Sequence, residues 1–194
     1  IYALDLFGKR VAVSSYNYVA CVNQYKAFCK PIFVDCDENS LIDIEKIPND
    51  CEAVMLVNYW GNVVDYDKVK ENYKGKIIAD CSQSLGAKYK GKLDGYFGDI
   101  SLFSFGGQKP VGTRGFTGAI ATDDDAVAHR IDCAINQGKA GEDRELPIEM
   151  LGFRSTPQEF QCGMLSVGMK YWKKWKDDRT KIAKHIIDNL KDLP

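Results

Sequence analysis

Short apolar runs rich in β-branched residues alternate along this chain with stretches whose apolar residues recur every three or four positions. The first run, Val11-Ala12-Val13, precedes a helical stretch through Tyr18, Ala20, Val22 and Tyr25. Pro31-Ile32-Phe33-Val34 follows and ends on Asp35. Ala53-Val54-Met55-Leu56-Val57 is apolar without interruption, as expected of a strand covered on both faces. A helix is predicted from about Tyr66 to Tyr73, then a strand Ile77-Ile78-Ala79 closing at Asp80. Two further strands are expected at Ile100 to Phe105 and Thr117 to Thr122, adjacent or hairpin-like around the glycine-rich turn between them. Asp123-Asp124-Asp125 marks a helix start, because acidic groups favour the positive end of the helix dipole. That helix is expected to reach about Asn136 and to stop at Gly138.

This alternation predicts an α/β domain with a mainly parallel sheet flanked by helices. In such sheets functional groups gather at the carboxyl ends of the strands. Asp35, Asn58, Asp80 and the turn from Phe105 to Lys109 all fall at predicted strand ends. The last third changes character. Residues 138–157 are polar and broken by Gly141, Pro147, Gly152 and Pro157, which reads as a loop or linker. From Gln158 a helical pattern runs through Phe160, Met164, Val167, Tyr171 and Trp175 to Ile182, Ile186 and Leu190. The organisation expected is a main domain over residues 1–137, a linker over 138–157 and a long helix over 158–194. Because the chain opens on Ile1 and closes inside a helical pattern, more chain is expected on either side.

Composition narrows the classes of function. The 194 residues, 45% of them hydrophobic, are enough for one large domain with a filled core. With 26 basic and 27 acidic residues the net charge is -1, which gives no sign of a nucleic-acid or membrane partner. Lys173, Lys174 and Lys176 read as the solvated face of a helix. No apolar run approaches the roughly 20 residues that span a bilayer, and no signal peptide is recognised. Seven cysteines at scattered positions, with no CxxC, read as reduced thiols in a cytoplasmic protein. With His129 and His185 the only histidines and no Cys/His cluster seen, no metal is expected.

Three segments carry candidate chemistry. Ile77 to Ala87 places the Asp80 carboxylate at the end of an apolar strand. Gly98 to Lys109 puts Ser104 and Lys109 on and after a strand. Ser14-Ser15-Tyr16-Asn17-Tyr18-Val19-Ala20 opens a helix with aromatic rings. A pyridoxal phosphate enzyme needs such parts. A lysine forms a Schiff base with the aldehyde and later moves a proton. A carboxylate beside the pyridine nitrogen favours the protonated ring, the better electron sink. Hydroxyls and backbone N–H groups hold the phosphate, and an aromatic ring stacks on the cofactor face. Each residue alone is weak evidence; their order and spacing are more specific.

These residues resemble a known family. From about Val11 to Asp132 the chain is similar to the large domain of the DegT/DnrJ/EryC1/StrS aminotransferases. The matching signatures are Pro31-Ile32-Phe33-Val34-Asp35, Asn58-Tyr59-Trp60-Gly61, Asp80-Cys81-Ser82-Gln83, and Phe103-Ser104-Phe105 followed by Lys109. Gly115-Phe116-Thr117-Gly118-Ala119 matches a further stretch, and Lys109 follows Asp80 at the family's separation. The resemblance implies the type I, aspartate aminotransferase-like fold of pyridoxal phosphate enzymes. It implies Lys109 as the Schiff-base lysine, Asp80 as partner of the ring nitrogen and Gln83 near the cofactor's hydroxyl. It also implies Ser104 as a phosphate-binding hydroxyl and Tyr18 as the stacking ring. Asn58, Tyr59 and Arg154 are the substrate-side candidates.

The implied activity is transfer of an amino group from an amino acid, glutamate or glutamine, to a nucleotide-linked keto-sugar. The implied assembly is a homodimer with a shared site. A related reaction on a keto-cyclitol, dehydration of a deoxysugar, and a non-catalytic regulatory or assembly role remain alternatives. Lysine at 109 argues against the dehydratase variation, which carries histidine there. Some positions depart from the family pattern. Ser14 replaces a proline, Gly106-Gly107-Gln108 replaces an aromatic or His, Pro, and Thr or Asn, Pro110 follows the lysine, and Arg154-Ser155-Thr156 replaces Asn-Tyr-Arg. A Gly-Thr or Gly-Ser phosphate turn is expected upstream of Ile1.

Overall fold

The uninterrupted apolar run at residues 53–57 forms a central strand of the protein, and its burial explains its composition. In the computed structural model, which describes residues 1–141, 145 and 147–191, all five residues of this strand are buried. The strands in chain order are β1 (Arg10–Ser14), β2 (Lys30–Val34), β3 (Ala53–Val57), β4 (Lys76–Asp80), β5 (Lys88–Tyr89), β6 (Lys92–Leu93), β7 (Ile100–Ser104) and β8 (Gly118–Ala121). Six of them form one sheet in the order β2-β1-β3-β4-β7-β8. Every pairing from β2 across to β7 is parallel. The short β5 and β6 make a separate antiparallel pair that the apolar pattern did not announce.

A parallel sheet must be covered on both faces, and alternation along β3 supplies both cores. Ala53, Met55 and Val57 join Tyr25 of α1 (Val19–Phe28) on one face. Val54 and Leu56 join Tyr66 and Val69 of α2 (Tyr66–Asn72) on the other. The register Val57↔Asp80 puts the carboxyl ends of β3 and β4 level with each other. α3 (Asp125–Ile135) starts where the triple aspartate predicts: the Asp124 carboxylate accepts from the N–H groups of Ala126 and Val127.

The chain divides into two compact units. The first comprises Ile1–Phe103 and Ala119–Thr156, so residues 138–156 count with the sheet. The second comprises Ser104–Gly118 and Pro157–Pro194 and is built on α4 (Glu159–Leu190). The start of α4 is a reciprocal capping box between Gln158 and Gln161. Among the described residues no helix is long and apolar enough to cross a membrane.

Candidate active site

In the first unit the candidate groups collect at the carboxyl ends of β3 and β4. Asp80 is the last residue of β4 and only 5% exposed. Its Oδ1 accepts from the Ser82 N–H at 2.9 Å, which fixes the carboxylate against its own turn. Among the described residues no Lys, Arg or His forms an ion pair with it. A carboxylate held out of water is costly unless a cation or hydrogen-bond donor meets it. Asp80 is therefore suited to a ligand carrying a positive N–H.

The residue after β3, Asn58, is fully buried and its backbone N–H donates to the Asp80 carbonyl at 3.0 Å. Its side-chain amide is used internally. Nδ2 donates to Tyr66 Oη and Cys81 Sγ, and Oδ1 accepts from the Val64 N–H. Asn58 thus ties the loop after β3 to the strand end that carries Asp80. Tyr59 is also buried; burial first, then the neighbouring Tyr16 and Asp80, push its hydroxyl up to about 12. It stays a neutral phenol at physiological pH.

Two aromatic residues with no role assigned from the sequence stand beside it. The Tyr16 ring lies 4.8 Å from that of Tyr59, and the Trp60 ring 6.0 Å away. Trp60 is 68% exposed with φ 58°, a left-handed conformation that is uncommon for a bulky residue. Its N–H donates weakly to Gln83 Oε1 at 3.5 Å, which joins the Asn58-Tyr59-Trp60-Gly61 and Asp80 to Gln83 motifs. Both residues lie inside motifs legible in the sequence, but exposure and backbone conformation were the missing signals. Tyr18 caps α1, with its N–H donating to Asn17 Oδ1, and leaves its ring 67% exposed. Arg154 is exposed, with its backbone bridged to Asn136 just past α3.

In the second unit Ser104 and Lys109 lie on one short loop. Ser104 ends β7, and Lys109 N–H donates to the Gly106 carbonyl at 2.9 Å to close a turn. The Thr113 N–H and hydroxyl both donate to the Phe105 carbonyl, which closes the wider loop around it. α4 grips this loop at three heights. Gln161 Nε2 donates to the carbonyls of Arg114 and Phe116. Gly168 packs against Val111, and the Arg179 guanidinium donates to the Pro110 carbonyl. At ~1.5 Å per residue these points span about 27 Å of helix.

Within the unusual Gly106-Gly107 pair, a Cβ on Gly107 would meet the Thr113 carbonyl oxygen at 3.4 Å, while Gly106 has room for one. Neither glycine has positive φ, and a Cβ on Gly106 would meet only Ser104 Oγ, at 3.9 Å. Gly112 is the demanding position, since its Cβ would fall 2.7 Å from the Gly106 carbonyl oxygen.

The comparisons with known proteins agree with this frame. The model of the DegT/DnrJ/EryC1/StrS aminotransferase family matches residues 2–194. The chain belongs to that family. Over 132 residues, 63% of the chain and 36% of the relative, it is 41% identical to the GDP-perosamine synthase of Escherichia coli O157:H7. It is 32% identical over 202 residues to the dTDP-3-amino-3,6-dideoxy-alpha-D-galactopyranose transaminase of Aneurinibacillus thermoaerophilus, covering 99% of the chain and 55% of that protein. The crystal structure of NtdA from Bacillus subtilis with bound cofactor PMP superposes with TM-score 0.88 at 27% identity, over 98% of this chain and 45% of that one. The fold is therefore that of these aminotransferases. The chain spans about one third to one half of the length of these relatives.

Proposed function

We propose that the protein to which this chain belongs is a pyridoxal phosphate-dependent aminotransferase acting on a nucleotide-linked keto-sugar, with glutamate or glutamine as amino donor. The observation that carries the reading is Asp80, a buried carboxylate with no cationic partner among the described residues, at the end of a parallel strand. Such a group suits the pyridine N–H of the cofactor, and its low-dielectric setting favours the protonated ring. Pyridoxal phosphate, when bound, supplies the aldehyde that takes up the amine and the ring that draws electrons from the reacting carbon.

The chain's own residues supply the rest. Lys109, held on its closed turn, is the amine that anchors the cofactor and the base that takes a proton from the substrate carbon and returns it. The Ser104 hydroxyl is the donor to the phosphate. The exposed Tyr18 ring would hold one face of the cofactor, and Gln83, steadied against Trp60, would meet its hydroxyl side. Asn58 and Tyr59 shape the substrate side from within the fold. Arg154 offers a guanidinium to a substrate phosphate. The names of the two relatives, both enzymes of nucleotide-linked sugars, support the substrate class. Family membership supports a cytoplasmic homodimer with a shared site.

The test uses the full-length protein. Added pyridoxal phosphate is expected to give a visible absorption band, and borohydride to fix the cofactor's mass onto the peptide containing Lys109. Lys109→Ala is expected to abolish both. With a nucleotide-linked 4-keto-sugar and glutamate, 2-oxoglutarate and an amino sugar are expected together; sugar consumption without 2-oxoglutarate would point to dehydration instead. Absence of the band in the intact protein would sink the enzymatic reading.

A further inference from the structure

A second cluster of chemistry lies at the far end of α3, within the first unit. His129 and Cys133, four residues apart, share one face of the helix. Glu149, from the segment after the helix, completes a trio whose ligand atoms all lie within 4.8 Å of one another. His129 Nε2 is 2.8 Å from Glu149 Oε2 and 3.7 Å from Cys133 Sγ. No metal was expected from the sequence, because the i,i+4 His–Cys pair has neither a CxxC nor a second histidine beside it.

The backbone builds this trio rather than leaving it to mobile side chains. The Gly138 N–H donates to the Cys133 carbonyl at 2.7 Å, and the Glu149 N–H to the Gly138 carbonyl at 2.8 Å. The Phe153 and Ser155 N–H groups donate to the carbonyls of Ala134 and Ile135, and the Gln137 N–H donates back to the Phe153 carbonyl. Gly138 and Gly152 allow this close approach. A Cβ on Gly138 would sit 2.0 Å from the Met150 carbonyl oxygen, and one on Gly152 would sit 2.2 Å from the Gly138 nitrogen. Cys133 is 1% exposed, while the side chains of His129 and Glu149 are 49% and 44% exposed. The trio is thus closed at the sulfur and open to solvent on the opposite side.

We propose that His129 Nε2, Cys133 Sγ and the Glu149 carboxylate bind one divalent cation of the zinc class. A thiolate, an imidazole and a carboxylate are the donor set that zinc accepts, and hard oxygen-seeking cations do not favour sulfur. Tetrahedral zinc holds such ligand atoms roughly 3.4–3.6 Å apart, given its usual bond lengths. The nitrogen–sulfur separation already fits, and a turn of the Glu149 carboxylate opens the nitrogen–oxygen one. Water takes the fourth position on the open side. Binding releases the Cys133 thiol proton to solvent and leaves the oxidation states of metal and sulfur unchanged. The bound ion clamps residues 149–155 onto the end of α3. This proposal is independent of the aminotransferase reading.

The test titrates zinc alone into the reduced, chelator-stripped full-length protein, against a chromophoric chelator, with cobalt(II) as the spectroscopic probe. One equivalent is expected to bind, cobalt is expected to show tetrahedral visible bands with a thiolate charge-transfer band, and zinc to raise the melting temperature. His129→Gln and Glu149→Gln change exposed side chains, and circular dichroism checks their folding. Each is expected to weaken binding by at least the roughly 10–100-fold seen for loss of an outer-shell partner. Cys133→Ser is expected to remove the charge-transfer band. Two outcomes overturn the proposal: no tight equivalent, which leaves His129 and Glu149 as a plain ion pair, or one that both exposed variants retain unchanged, which assigns it to other thiols.

Discussion

The turn that begins at Asp80 is held from beneath by a second buried carboxylate. Asp94 is 1% exposed and accepts from the hydroxyl of Ser84, which lies on that turn. Burial, only partly offset by hydrogen bonding led by Ser84, raises its pKa above the usual carboxylate value of 3.8. Below that value the group is protonated in both the folded and unfolded chain. As pH rises, the unfolded chain releases its proton first, so Asp94 subtracts stability progressively until the folded pKa is passed. Asp94→Asn keeps an acceptor for Ser84 and removes the charge. Its urea midpoint is expected to exceed the parent's at pH 7, and the two to converge near pH 4. At this scale the sequence placed Asp80 at the end of one strand and Lys109 on the turn after another, and both lie there in the fold. It was silent on Asp94, because Leu93-Asp94-Gly95 reads like any surface turn and burial is a property of the finished fold. The His129–Cys133–Glu149 trio was hidden for a related reason: its third member is 16 residues further along the chain and reaches the helix only through backbone pairing.

At the scale of elements, the helix starts and the lysine loop make opposite demands on their residues. Asp124→Ala removes the acceptor for two N–H groups at the start of α3 and is expected to cost about 1 kcal/mol, read from urea unfolding. The loop around Lys109 depends instead on close backbone approach. Gly112→Ala is expected to open it and to weaken cofactor capture, measured as the concentration of pyridoxal phosphate giving half the visible band. Gly106→Ala is expected to leave that concentration within about twofold of the parent, since surface-type changes that meet nothing cost little. If both variants behave alike, the steric account of the loop fails. The sequence located this loop and marked Gly106-Gly107-Gln108 as a departure, but it gave no sign of Gly112. Gly106 and Gly107 are conspicuous as a pair, whereas the contact that matters is between Gly112 and the carbonyl of Gly106.

For the molecule as a whole, β3 is the member on which both cores depend. Leu56→Ala empties a fully buried site in one core and is expected to cost roughly 2–5 kcal/mol of stability. The alternation of apolar runs and helical spacing made the parallel sheet readable, because burial on both faces leaves so strong a mark on composition. The short β5–β6 pair left no such mark, since two-residue strands bury almost nothing. The division into units was also outside its reach. The second unit is assembled from two stretches of chain, Ser104–Gly118 and Pro157–Pro194, with part of the first unit written between them. On the ribosome, the loop bearing Lys109 therefore emerges about 40 residues before the helix that grips it. At roughly 5–20 residues per second, the nascent chain passes several seconds with this loop made but not yet gripped. Closure of the second unit then waits on the arrival of α4.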